Sequence, residues 1–177
     1  MILSTNFLKD YLDIDFDTDE KLHELAENMT KVGNEYDLEG KFLSATNLVI
    51  GEVKECVMHP DSDHLHVCKV NTGTEIRQIV CGAPNVREGL KVIVALPGAK
   101  LPGGVTINKS MKRGVESDGM LCSMAELGLD SKFQKPEDKE GIHELPKDAP
   151  IGEEPIKYMQ MDDGVIDFDL TANRGDL

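Results

Sequence analysis

After Thr18, apolar side chains recur at Leu22, Leu25, Ala26, Met29 and Val32, the spacing of one helix face, until Gly33 breaks the pattern. Thr18 offers an N-cap hydroxyl, and Asp19 and Glu20 put negative charge at the positive end of the helix dipole. The pattern predicts a helix over about 19–32. A shorter helix is predicted after Ser4, with Phe7, Leu8, Tyr11 and Leu12 as its apolar side.

From about residue 46 the period shortens to that of strands, with turn residues between the runs. Strands are expected at Leu48–Val57, Leu65–Val70, Ile76–Cys81 and Leu90–Leu96, with a further one beginning at Val105–Ile107. Their connections are His59-Pro60-Asp61-Ser62-Asp63, Asn71-Thr72-Gly73 and Gly82-Ala83-Pro84-Asn85, and Pro97-Gly98 and Pro102-Gly103-Gly104 bracket the segment before Val105. Gly119–Cys122 leads to a brief helix around Met124–Leu127. About five short strands in some 85 residues suggest a small closed barrel, for which the Greek-key oligonucleotide and oligosaccharide binding (OB) fold is the natural candidate. Residues 130–140 are polar and read as a mobile loop. Ile142–Leu145 reads as a last barrel strand, 146–155 as a linker and Val165–Leu170 as one more strand. Asn173-Arg174-Gly175-Asp176-Leu177 looks like a turn before a helix, so the chain is expected to be the N-terminal piece of something longer.

Composition changes this picture in one respect. The net charge of -14 argues against a nucleic-acid ligand, since neutralising phosphate needs cations. The acid, however, lies in the flanks: residues 1–40 hold 3 basic and 11 acidic side chains and residues 130–177 hold 6 and 13, while 41–129 hold 10 and 9. Within 91–115, Lys91, Lys100, Lys109, Lys112 and Arg113 occur with no Asp or Glu, so this is where a polyanion would dock. An ordinary solvated Lys face is the alternative. Four cysteines without a Cys-x-x-Cys pair suit reduced, partly buried thiols. No apolar run approaches the roughly 20 residues of a membrane span, and nothing at the N-terminus marks the chain for export, so a cytoplasmic location is expected.

Three segments make the barrel recognisable: residues 59–70 (HPDSDHLHVCKV), 79–86 (IVCGAPNV) and 112–123 (KRGVESDGMLCS). In this order they resemble the tRNA-binding OB domain shared by several tRNA synthetases and free-standing tRNA-binding proteins. The flanks, Leu3–Leu12 and Asp169–Leu177, look like the bacterial phenylalanine-tRNA ligase beta-chain family. That resemblance implies a mainly β chain with an α+β flank: an OB barrel over 40–152 inserted into a small, partly truncated α/β domain made of 1–39 and 153–177. It implies an aminoacyl-tRNA synthetase of two alpha and two beta chains that joins phenylalanine to its tRNA with ATP and magnesium, the reaction residing on the alpha chain. The partners implied are tRNA and the alpha chain, with no cofactor held by this piece.

Between Phe42 and Phe133 there is no Phe, Tyr or Trp, so the stacking on which many OB barrels rely is not expected. Backbone contacts, 2'-hydroxyls and shape remain, which suits folded RNA. The candidate tRNA-binding residues are Asn85, Lys100, Lys109, Lys112, Arg113, Ser117 and Met120. Ser117, Met120 and Asn85 come from the resemblance, and each has a structural alternative: Asn85 as a brace for the Pro84 turn, Met120 as core, Ser117 as a turn cap. His64, His66 and Cys68 alternate onto one strand face, but Pro60 and Asp61-Ser62-Asp63 already account for a turn, and no metal is expected. No nucleophile and base pair or glycine-rich phosphate loop stands out, so no catalytic residue is assigned. The competing functions are a protein-interaction module with weak RNA binding and a free-standing tRNA-binding protein.

Overall fold

The computed structural model describes residues 1–13, 18–129, 131 and 134–169. In chain order these form β1 (Ile2–Ser4), α1 (Thr5–Lys9), α2 (Asp19–Lys31), β2 (Tyr36–Lys41), β3 (Leu48–Met58), β4 (His66–Asn71), β5 (Ile76–Cys81) and β6 (Lys91–Ala95). There follow β7 (Lys100–Leu101), β8 (Val105–Thr106), β9 (Ser110–Lys112), β10 (Val115–Ser117), β11 (Met120–Leu121), β12 (Glu144–Leu145), α3 (Pro155–Tyr158) and β13 (Gly164–Phe168). The chain divides into two compact units, one of Met1–Leu43 with the described residues of Gln160–Leu177, the other Ser44–Met159. Among the described residues no helix is long and apolar enough to cross a membrane.

The larger unit is a barrel of OB type, and β3 is the strand that makes it. Its first half pairs antiparallel with β6 (Leu48 opposite Ala95, Glu52 opposite Lys91), and its second half pairs with β4 (Glu52 opposite Asn71, Met58 opposite His66). A bulge between Val53 and Glu55 gives the bend that lets one strand serve both neighbours. Gly51 sits before it: a Cβ there would lie 2.7 Å from Val94 Cγ2 and 2.8 Å from Val70 Cγ1, so only glycine lets the strands approach. β4 pairs with β5, and on the other side β11 and β12 pair with opposite ends of β6. Closure comes where the Asp118 N–H donates to the Gln78 carbonyl at 2.8 Å. The inward residues Val53, Cys68, Val70, Ile79, Val92, Val94, Leu121 and Ile142 form one apolar core.

Three sequence expectations are corrected here. Residues 146–155 are no linker: Gly152 N–H donates to Ile50 O and Ile50 N–H to Glu153 O, both at 2.8 Å, so this segment lies along the start of β3, with Ala149 buried. Met124–Leu127 forms a turn, which Gly128 ends at φ +94°. Within 130–140, residues 130, 132 and 133 lie outside the described residues. Pro136–Asp138, however, is an ordered 3-10 turn whose Asp138 is buried against His143, at 2.6 Å from its Nδ1.

In the smaller unit β13 lies between β1 and β2, antiparallel to both, and supplies the partners that its alternating apolar positions require. Leu22 and Ala26 of α2 pack on its Ile166 and Phe168. The expected apolar side of α1 is not the buried one. Phe7, Tyr11 and Leu12 are exposed, while Thr5 is buried, because Asp163 accepts from Ser4 Oγ, Thr5 Oγ1 and the Asn6 N–H and so turns that end of the helix inward. The turn expected at 173–177 lies outside the described residues.

Candidate nucleic-acid interface

The β9–β10 hairpin carries two of the expected cations at its tip. Arg113 and Gly114 form its two-residue connection with φ of 47° and 82°, the left-handed pair that matches the twist of the flanking strands. His59 fixes where the hairpin sits. Its Nδ1 accepts from the Asp61 N–H at 3.0 Å, so Nε2 carries the proton and donates to the Lys112 carbonyl, also at 3.0 Å. His59 is buried although polar, and both ring nitrogens are satisfied. Arg113 Nη1 donates to the Asp61 carbonyl at 2.9 Å, a second tie between the hairpin and the β3–β4 turn.

Lys100, Lys112 and Arg113 are exposed and have no carboxylate within 4.0 Å among the described residues, although Arg113 lies near enough to Asp63 to attract its carboxylate. Lys109 differs. It lies 3.3 Å from Asp118 and 4.0 Å from Glu116, and Asp118 also accepts from Arg77 Nη1 at 2.7 Å. The Arg77 and Glu75 side chains are ion-paired as well, so Lys109 joins a network and is only partly available to a phosphate.

Ser117 is 1% exposed, and its hydroxyl accepts from Val80 N–H and donates to Gly119 O, both at 3.0 Å. It thereby holds β10 against β5. Asn85 also braces: its amide nitrogen donates to Ile142 O at 2.8 Å and its oxygen accepts from Ile142 N–H at 3.1 Å. Arg87 and Asn85 both hold Glu144, and the hydrogen bond from Arg87 keeps that carboxyl below the usual carboxylate range. Met120 is half-buried and borders a cleft of about 800 Å³.

That cleft lies wholly within the barrel unit. Leu65, Ala83, Pro84, Met120, Leu121 and Ile142 give it an apolar floor, and Asn108, Lys112, Ser123 and Lys139 are among its polar lining. Sequence reasoning missed Lys139 because it sits in a polar run that reads as a loop. What orders that run is the Asp138–His143 contact across five residues, a spacing with no helical or strand period. The four cysteines are free thiols, and burial pushes Cys68 and Cys81 up and Cys122 to about 12, so none of these three is a thiolate nucleophile at neutral pH.

Residues 48–154 match the family described as "Putative tRNA binding domain". The chain belongs to this tRNA-binding domain family. It is 46% identical over 177 residues to the phenylalanine-tRNA ligase beta subunit of Streptococcus pneumoniae (strain ATCC BAA-255 / R6), covering 99% of this chain and 22% of that protein. To the beta subunit of Lactiplantibacillus plantarum it is 48% identical over 181 residues, covering 100% and 22%. To that of Shewanella oneidensis it is 50% identical over 154 residues, covering 86% and 19%. The chain thus spans about a fifth of the length of these relatives. Among solved structures, a MetRS-related protein from Pyrococcus horikoshii overlaps 59% of this chain and 84% of its own, with 24% identity and a TM-score of 0.43. The tRNA-binding family match takes in β3 through the bulk of the barrel, including Asn85, Lys100, Lys109, Lys112, Arg113, Ser117 and Met120. Residues 1–43 lie outside it, in a stretch shared with the ligase beta subunits.

Proposed function

We propose that this chain is the noncatalytic tRNA-binding and structural region at the N-terminus of a phenylalanine-tRNA ligase beta subunit. The observation that carries this is the placement of Lys100, Lys112 and Arg113, exposed and with no carboxylate within 4.0 Å among the described residues, on a barrel that matches the tRNA-binding domain family. In this reading the barrel, about 40–152, is inserted into a domain formed by 1–39 and 153–177. The whole enzyme, two alpha and two beta chains acting in the cytoplasm, attaches phenylalanine to tRNA with ATP and magnesium. The cleft does not fit ATP with magnesium: of its three carboxylates Glu126 and Asp138 are engaged by Ser123 and His143, which leaves Glu140 alone to hold a cation, and among the described residues no glycine-rich loop leads from it into a helix N-terminus. Those groups are assigned to other parts of the ligase, and what this chain contributes is cationic contact with RNA backbone.

The test is a titration of tRNA at low ionic strength, repeated across salt. Replacing Lys109, Lys112 and Arg113 together by Ala is expected to weaken binding and lower the salt slope by about 0.7–0.9 per lost phosphate contact. Lys109→Ala alone should do least, because Asp118 and Glu116 already hold that side chain. An unchanged affinity and slope for the triple variant would instead favour a protein-interaction module. Val57, Met58, Ile76, Val105 and Met111, all exposed on the barrel unit, are the observation behind that second reading.

A further inference from the structure

We propose that the cleft beside Met120 receives a single unstacked nucleotide of the tRNA, with its phosphate met by Lys112 and Lys139, both of which line the cleft. The inference rests on the tRNA reading above and adds both a mode of binding and a residue. A cleft of about 800 Å³ is of small-molecule size and too confined for a duplex. Its apolar lining, which includes Leu65, Pro84, Met120 and Ile142, gives a base an apolar contact in a barrel with no Phe, Tyr or Trp over residues 43–132. Unpaired nucleotides of loops and ends supply such a base without the cost of opening a helix.

Both lysines stand on backbone that is held in place. The Lys112 backbone is fixed by the His59 Nε2–H bond to its carbonyl. Lys139 follows the 3-10 turn whose buried Asp138 contacts His143, and Asn85 clamps Ile142 just beyond. Neither lysine has a carboxylate partner among the described residues. Three carboxylates also reach the cleft. Asp138 is engaged by His143 and Glu126 by Ser123, which leaves Glu140, exposed and next to Lys139, as the one that opposes a phosphate most directly. Lys139→Ala and Glu140→Gln should therefore change affinity in opposite directions, which a purely structural role for this segment would not produce.

The experiment uses this chain with isotope-labelled methionine methyls, titrated with AMP, CMP, GMP and UMP, and in parallel with tRNA. The expected result is a shift of the Met120 methyl with the nucleoside monophosphates that disappears in the Lys112→Ala/Lys139→Ala variant. For tRNA, Lys139→Ala should lower affinity about 3- to 10-fold and the salt slope by about 0.7–0.9. Glu140→Gln should raise affinity, and Lys135→Ala, outside the cleft, should match the unaltered chain. If the unaltered chain binds tRNA but Lys139→Ala and Glu140→Gln both behave like Lys135→Ala, the cleft proposal is overturned and the tRNA reading stands. If the unaltered chain does not bind tRNA at low salt, the tRNA reading itself fails and this inference with it.

Discussion

Ser117 and Asn85 show how a polar residue in a binding motif can be committed to architecture. Ser117 uses its hydroxyl on Val80 N–H and Gly119 O, and Asn85 uses both ends of its amide on Ile142, so each holds separate segments of the barrel together. Their residue types were legible in the sequence, but their partners, 37 and 57 positions away, were not. The buried thiols lead to a prediction at this scale. Burial holds Cys68, Cys81 and Cys122 above the ordinary thiol range, whereas in the unfolded chain they ionise near pH ~8.5. Above that pH the folded state binds more protons than the unfolded one. Stability is therefore fully present below about pH 8.5 and falls as pH rises towards the folded values, by up to about 1.4 kcal/mol per pH unit for each thiol. Urea unfolding measured from pH 7.5 to 10.5 should show this decline, and Cys122→Ala should flatten it. An identical slope in that variant would place the titration elsewhere.

Among elements, the β9–β10 hairpin is the one on which the RNA reading most depends. The Arg113-Gly114 turn was not read from the sequence, because Arg is not among the residues that favour positive φ, yet both residues adopt the positive φ that such a turn requires. What could not be read was that His59, from the preceding β3–β4 connection, would fix the hairpin's position. His59 stands in a run with Asp61, Asp63, His64 and His66 that invites thoughts of metal, yet its two nitrogens are used by Asp61 N–H and Lys112 O. His59→Phe keeps a ring and removes both bonds. The amides of 110–117 should then exchange faster while those of β3 and β4 keep their protection, and tRNA affinity should drop with the barrel intact. Uniform loss of protection would mean that His59 supports the whole barrel instead. In the smaller unit, Asp163 gathers Ser4 Oγ, Thr5 Oγ1 and the Asn6 N–H. Asp163→Ala should cost about 2 kcal/mol, the scale of hydrogen bonds to a charged acceptor, read as a lower unfolding midpoint.

For the whole molecule, net charge and the lack of Phe, Tyr or Trp between Phe42 and Phe133 set the expectation. With a net charge of -14 and few cations to meet phosphate, tRNA binding should be modest, with a salt slope of only about 0.7–0.9 for each of those few contacts. Because the contacts available are to backbone and shape, a noncognate tRNA should bind almost as well as one for phenylalanine, a comparison that a competition titration decides. A large preference for the cognate tRNA would show base reading that the barrel's Lys and Arg contacts do not provide. The sequence by itself determined the long barrel strands β3 to β6, the helix over about 19–32 and the family, because each is a local property: a period of apolar positions, a cap, a contiguous motif. Tertiary structure alone decided that β13 lies between β1 and β2, that Gly152 and Glu153 lie along β3, and that Lys109 is held by Asp118 while Lys112 and Lys139 line one cleft. Those outcomes depend on pairings between distant positions, where hydrogen-bond and charge satisfaction is settled only once the chain has closed on itself.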